Sequence, residues 1–206
     1  MALPHFSTKE RILGAAEQLF AQHGFAGASL RQVTAAANVN LAAVNYHFGS
    51  KENLVNEVFR RRLDDLNARR LAALDALSAP TGVSLEDVLG AFIRPALELS
   101  LDRSGGGAFV RVLARAYAEH NEALRKFLSD NYGHVLKRFH AAIGQILPSL
   151  DKEELYWRLD IVAGALTYAM ADFGVIKRKT GVSEQAHRER AAKHLVRFAA
   201  AGLRAP

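Results

Sequence analysis

Apolar residues recur along this chain at three- and four-residue intervals, and no convincing run alternates with period two. A half-buried strand needs that alternation, whereas spacing of i, i+3, i+4 and i+7 lays apolar side chains along one face of a helix. The pattern predicts an all-α fold. Ser7 with Glu10 makes a capping-box start, and the stripe Ile12, Ala15, Ala16, Leu19 and Phe20 follows it. Gly24 after His23 is a natural stop, so the first helix is expected over 8–23. Ser29 opens a short helix holding Leu30 and Val33, and a second runs from Leu41 to His47 after Asn38-Val39-Asn40. Ser50 with Glu52 starts a long helix carrying Leu54, Val58, Leu63 and Leu66 to about Leu77. Ser78 to Gly82 has linker composition. Beyond it, Ser84 opens a helix to about Leu101 that Pro95 is expected to kink, and Ser104 to Gly107 is a break. Further helices are expected over about 108–119, 122–147, 152–178 and 184–203. The expected organisation is a three-helix unit over 1–50, a connecting helix over 51–78, and a helical bundle over 79–206.

Composition narrows the function classes. The 206 residues are half apolar and 23% charged, enough for both a core and a hydrated surface, which excludes disordered and collagen-like chains. Cysteine is absent, so thiolate zinc sites, iron–sulfur clusters and cysteine nucleophiles are excluded, and the chain suits a reducing cytoplasm. The opening residues MALPHFSTKER lack a signal-peptide pattern. The longest apolar stretch, Ile161 to Ile176, is diluted by Gly164, Thr167, Asp172 and Gly174 and is too short to cross a bilayer. No membrane partner is expected. The formal charge of +6 is uneven: nine basic against seven acidic side chains in 1–78, ten against twelve in 79–176, eight against two in 177–206. Net charge alone is poor support for nucleic-acid binding.

The informative segment is SLRQVTAAANVNLAAVNYHFGSK, residues 29–51. Helix, tight turn and short second helix are what it takes to present a rigid rod to the DNA major groove. Val33, Ala37, Val39 and Val44 can pack on Phe20 and Phe25. Asn38 stands where the chain must turn with positive φ, and Asn40 can cap the second helix. Leu41, Ala42, Asn45 and Tyr46 are expected to face outward while Val44 and Phe48 face in. Asn offers a donor and an acceptor to a base edge, and small apolar groups suit a thymine methyl. Tyr46, His47 and Lys51 can reach phosphates, helped by the positive end of the helix starting at Ser50. On these grounds alone a helical hairpin that never meets DNA remains an equal alternative.

From Ile12 through Leu54 the sequence resembles the tetracycline-repressor (TetR) family of bacterial regulators, through ILGAAEQLFAQHGFAGASLRQV and VNYHFGSKENL. The resemblance implies a helix-turn-helix DNA-binding domain and a C-terminal bundle that binds an effector and dimerises. It places Ser29 and Arg31 near the DNA backbone, residues 40–46 as the recognition helix, and Tyr46, His47 and Lys51 on phosphates. The implied partner is a pseudo-palindromic double-stranded operator, read by a homodimer. Thr34 replaces a usual Ala, Asn38 a usual Gly, Asn40 a usual Ser or Thr, and Asn45 a usual Tyr; the last changes what meets the groove edge. NLAAVNYHFGSKENL and LVRFAAAGLRAP look like the PsrA-type branch, which implies a long-chain fatty acid or acyl-CoA effector.

A lipid tail needs an apolar tunnel with a few polar groups at its mouth. Candidate walls and contacts are Phe92, Phe109, Val112, Leu113, Ala116, Tyr117, Phe127, Tyr132, Val135, Phe139, Ile161, Ala165 and Tyr168, with Arg111, Arg115 and His134 as further polar groups. Most such stripes are plain core, so both readings stand. Leu155, Leu159, Val162, Ala163, Leu166 and Met170, with Leu195, Phe198, Ala199 and Leu203, are expected to form a four-helix dimer interface. Lys177, Arg178, Lys179, Arg188, Arg190 and Lys193 read as a solvated face, or alternatively as a site for anionic headgroups or CoA phosphates. Neither His134 with His140 nor His187 with His194 has i,i+4 spacing, so no metal site is expected. No nucleophile–base pair is legible, and neither enzyme activity nor a cofactor is expected. Three functions remain: a fatty-acid-responsive regulator, a regulator of the same fold sensing an aromatic drug-like compound, and a dimeric helical lipid carrier without DNA binding.

Overall fold

The structure is a computed structural model and describes residues 6–77, 82–100, 102, 105–119, 121–171 and 181–206. Among these the regular elements are helices: α1 Thr8–Gly27, α2 Leu30–Ala37, α3 Leu41–Phe48, α4 Lys51–Asp75, α5 Leu85–Leu99, α6 Gly106–Ala118, α7 Glu122–Ile146, α8 Lys152–Ala171 and α9 Glu184–Arg204. The linker at 78–81, Leu101, Ser104, the stretch 172–178 of the penultimate helix and the Lys177 to Lys179 run lie outside the described residues. The fold class is the one the periodicity predicts.

Packing divides the chain into two compact units that do not follow chain order: Met1–Asp64 with Arg103–Ser129, and Asp65–Asp102 with Asp130–Pro206. These packing units cut across the expected sequential division into 1–50, 51–78 and 79–206. The cause lies in α6, whose side chains complete α1. The Arg115 guanidinium donates to the carbonyls of Ala21 at 3.1 Å and Gln22 at 2.8 Å, carbonyls the end of a helix leaves without ladder partners. The Glu119 carboxylate accepts from the Phe25 N–H at 3.3 and 3.2 Å. Phe20, Phe25, Phe59 and Phe109 form a continuous aromatic chain, centroid to centroid 5.6, 6.2 and 5.6 Å.

In the first unit, α1 buries Ile12, Leu13, Ala16 and Phe20. Its backbone breaks at Gly24, φ 74°, before a last turn to Gly27, so the stop expected there is a kink. A Cβ on Gly24 would lie 2.3 Å from Glu119 Oε1, so the dihedral and the space both require glycine. Helix α2 opens with a full capping box: Gln32 N–H donates to Ser29 Oγ at 3.3 Å and Ser29 N–H to Gln32 Oε1 at 2.8 Å. Asn38 ends it in the left-handed region, φ 51° and ψ 55°. That conformation sets the angle at which α3 leaves α2. Asn38→Gly should be neutral or slightly stabilising. Asn38→Val should lose about 1–2 kcal/mol, because a β-branched side chain meets the following carbonyl there. The shift in urea midpoint checks both.

The second unit holds the end of α4 with α5, α8, α9 and most of α7. Helix α5 packs along α9 and α8 and runs on through Pro95 to Leu99 with Leu85, Val88, Leu89, Ile93, Ala96 and Leu97 buried. Pro95, where a kink is expected, stands inside one continuous helix, because burial on its flanks outweighs the one ladder bond that proline removes. The Arg70 guanidinium lies 3.8 Å over the Phe92 ring and donates to the Phe92 carbonyl at 3.0 Å. Arg158 Nη1 caps the end of α9, donating to Gly202, Leu203 and Ala205 carbonyls at 3.0, 3.2 and 2.7 Å. Arg204 grips Glu86 at 2.5 and 2.8 Å, and that hydrogen bonding holds the Glu86 carboxyl below its ordinary range.

Candidate nucleic-acid interface and effector cavity

Helix α3 has two unlike faces. Val44 and Phe48 are buried against the first unit, while Leu41, Ala42, Asn45 and Tyr46 stand in solvent, Tyr46 at 85% exposure. A ring so exposed contributes nothing to the core, which leaves its face free for a partner. Asn40 caps the helix through its Oδ1, which accepts from Ala43 N–H at 2.9 Å; its amide NH2 group stays available. The Ser29 hydroxyl is committed to Gln32, accepting from its N–H and donating to Oε1 at 2.9 Å, so its first duty is the cap. Arg31 is exposed beside it.

Past the C-terminus of α3, Ser50 Oγ accepts from Asn53 N–H at 3.1 Å and so caps α4, whose first residue is Lys51. The partial positive charge of that helix start and the Lys51 ammonium share one location, a natural seat for phosphate. His47, half-buried, meets the Tyr46 ring edge-on at 5.1 Å. Behind them Glu57 is the nearby anion, and it is neutralised: Lys9 Nζ lies 2.9 Å away and Arg60 pairs with it as well. Burial acts to raise the Glu57 carboxyl, yet the hydrogen bonds from Lys9 and Arg60 outweigh burial and hold it below the usual carboxylate range. It therefore stays paired near neutral pH.

The second unit contains a cavity of about 720 Å³ between α5, α7 and α8. Leu89, Phe92, Leu136, Phe139, Ile143, Leu159 and Ala163 line it, with Tyr156, Trp157 and His140 on one side. Lys137 and Lys152 are matched by Glu153 and Asp160, so the lining carries no net charge. Of the residues expected at such a cavity, Phe92 and Phe139 line it, their rings edge to face at 5.1 Å. The others are elsewhere. Phe109 and Val112 are fully buried in the first unit, where Phe109 packs on Phe59. Leu113, Ala116 and Tyr117 share α6 with them, and Arg115 is an α1 cap. Phe127 lies under Arg60 near His47 and Phe48. Val135 is core; Tyr132, Ala165 and Tyr168 do not line the cavity, and Ile161 faces solvent. The α6 residues are absent from the lining because α6 belongs to the first unit. A spacing signal was present on α7, where Gly133, Leu136, Lys137, His140 and Ile143 recur at three and four residues.

The expected dimer stripe is likewise corrected. Leu155, Val162, Leu166 and Met170 are buried within the protomer, as are Ala199 and Leu203, because α8 packs on α9 and α5. Leu159 and Ala163 line the cavity, and Leu195 is half-buried. The exposed apolar face of α8 is the next one round: Trp157 and Ile161, 63% and 64% exposed, then Gly164 and Tyr168 at helical spacing. Phe198 on α9, 68% exposed, is the expected residue that does face outward. Arg188, expected in solvent, is buried and donates to the Ala169 carbonyl at 2.8 Å, whereas Arg190 and Lys193 are exposed. Among the described residues no cluster of ligating side chains could hold a metal ion, and no helix is long and apolar enough to cross a membrane.

Comparison with known proteins places this geometry. Two matches divide the chain: residues 12–58 match the family described as bacterial regulatory proteins, tetR family, and residues 90–202 match the tetracyclin repressor-like C-terminal domain. The HTH-type transcriptional repressor KstR2 of Mycolicibacterium smegmatis is 32% identical over 87 residues, 42% of this chain and 40% of that protein. The HTH-type transcriptional repressor Rv3405c of Mycobacterium tuberculosis is 37% identical over 105 residues, 51% and 44%. The matches thus span less than half the length of these curated relatives. Among solved structures, the fatty acid degradation regulator FadR from Bacillus halodurans superposes with a TM-score of 0.65 at 17% identity, over 99% of this chain and 100% of that one. Since the C-terminal match alone covers more than half of its residues, the chain belongs to the TetR family of bacterial regulatory proteins.

Proposed function

We propose that this chain is a DNA-binding transcriptional regulator, acting as a homodimeric repressor in the cytoplasm and released from its operator by a hydrophobic small molecule. The observation that carries the reading is the two-faced α3: Val44 and Phe48 anchor it while Leu41, Ala42, Asn45 and Tyr46 stand free beside the Lys51 phosphate seat. Arg31, His47 and the Asn40 amide complete the proposed contact set, with the Ser29 backbone end of α2 beside it. Two such helices, brought one helical turn apart, read a pseudo-palindrome. The Trp157, Ile161, Tyr168 and Phe198 face is the proposed dimer contact, in place of the buried stripe.

The cavity supplies the effector site, held by Phe92, Phe139 and the walls described above. A long-chain fatty acid or acyl-CoA is the finer reading, supported by the sequence likeness to the PsrA-type branch and by a mostly apolar lining. The aromatic-compound alternative draws on Phe92, Phe139, Tyr156 and Trp157 among those walls. An effector acts through its difference in affinity for the DNA-competent and released states.

The test is a gel shift on the DNA upstream of the chain's own gene, with oleate, oleoyl-CoA or an aromatic panel added. Binding that weakens steeply between 50 and 200 mM salt, and is reversed by one of these ligands, is expected. Ile161→Glu should yield monomers in sedimentation and lose operator binding. A chain that binds oleate and ignores the promoter fragment is a lipid carrier instead.

A further inference from the structure

We infer that the ligand of the α5–α7–α8 cavity is an uncharged apolar molecule bearing a hydroxyl group, and that this hydroxyl donates a hydrogen bond to Nε2 of His140. The inference rests on the cavity being the effector site named above, and it replaces the fatty-acid and acyl-CoA reading of the occupant with an uncharged one.

The tautomer of His140 is set by its own helix. Nδ1 lies 2.8 Å from the Leu136 carbonyl oxygen, which can only accept, so Nδ1 carries the proton. In the neutral ring Nε2 is then a bare lone pair. It is buried, and among the described residues it has no hydrogen-bond partner. An unmet acceptor at an apolar cavity is costly until something donates to it. None of the donors that share the cavity lining, Lys137, Lys152, Tyr156 or Trp157, is bonded to Nε2.

The lining also bears on the ligand's charge. A carboxylate or phosphate would need a surplus of cations, and the lining has two lysines to two carboxylates. A carboxylate oxygen, moreover, cannot donate to a lone pair. A phenol or an aliphatic alcohol can. The Tyr156 ring packs against the imidazole, centroids 4.1 Å apart, is itself exposed, and lines the cavity beside His140, so an exposed side chain that can change rotamer adjoins the unmet acceptor. Trp157, the sole tryptophan of the chain, lines the same cavity and reports occupancy directly.

The test uses matched probes on the full chain, read by Trp157 fluorescence and confirmed by calorimetry: 4-nonylphenol against 4-nonylanisole, and 1-dodecanol against dodecyl methyl ether. Each pair differs in whether the oxygen carries a hydrogen. The hydroxyl member should bind about tenfold more tightly, the worth of one buried hydrogen bond against an acceptor left unmet. His140→Phe should bring the two members of each pair to within about twofold while still binding the ethers, and His140→Gln, which retains an acceptor, should restore part of the preference. Preference confined to the phenol pair identifies an aromatic ligand, and preference confined to the alcohol pair an aliphatic one; either supports the hydroxyl assignment. Equal affinity of both members in the wild type, or a preference that survives His140→Phe, overturns it while leaving the cavity an effector site. Failure of all four probes to bind overturns the cavity reading together with this inference.

Discussion

Arg62→Met should lower the unfolding free energy of the first unit by about 3–5 kcal/mol, the largest effect expected of any single change outside the aromatic core. Glu17 and Arg62 are 1% and 7% exposed and meet in two parallel hydrogen bonds, Nε to Oε2 at 3.2 Å and Nη2 to Oε1 at 3.0 Å. Removing the guanidinium leaves a carboxylate that has lost both its water and its strongest cation. Arg61, with Nη1 3.8 Å from Glu17 Oε2, is too distant to replace those hydrogen bonds. The double change Glu17→Leu with Arg62→Met should recover most of the loss, because a buried ion pair and an apolar pair of like volume differ little. Gly105 holds the same pair from above. Its φ is 122°, and a Cβ there would lie 2.5 Å from Arg62 Nη2 and 2.8 Å from Glu17 Oε1, so Gly105→Ala should also destabilise the unit markedly. Urea unfolding followed by circular dichroism checks all three. An Arg62→Met midpoint indistinguishable from wild type would contradict the account.

At the operator, Asn45→Ala and Lys51→Ala should fail in different ways. If Asn45 reads a base edge, its loss removes about 1–3 kcal/mol per half-site, hence about 2–6 kcal/mol for a dimer, and relaxes specificity at one symmetric pair of positions. With Lys51 in its proposed phosphate seat, its loss should weaken all sequences alike and flatten the slope of log affinity against log salt by about 2, one phosphate per half-site. Fluorescence anisotropy across a salt series, on the operator and on single-base variants, separates the two. A uniform loss with Asn45→Ala would move that residue from reading bases to holding the backbone.

The elements of the α2–α3 region were legible because each is written locally. Ser29 with Gln32, Asn38 before a turn, and Asn40 before Leu41 are short-range signals whose geometry depends on a few neighbours. The cavity was not, because its walls come from three helices whose partners depend on tertiary packing. Phe109 and Phe139 look alike in sequence, yet one is locked against Phe59 and the other opens onto a cavity. The dimer stripe failed for a related reason. Helix α8 is apolar on more than one face, and periodicity cannot say which face the chain covers for itself. His140 was weighed only as a metal ligand; its role turns on Leu136 four residues earlier, a backbone contact with no sequence signature.

Since Arg115, Glu119 and Phe109 finish what Phe20, Phe25 and Phe59 begin, the amino-terminal unit has to wait during synthesis. At about 5–20 residues per second, the roughly 40 intervening residues take about 2–8 s to emerge. Throughout that interval the nascent helices carry an uncovered aromatic surface, a target for chaperones on the ribosome, and a fragment cut after α4 would remain in that unfinished condition.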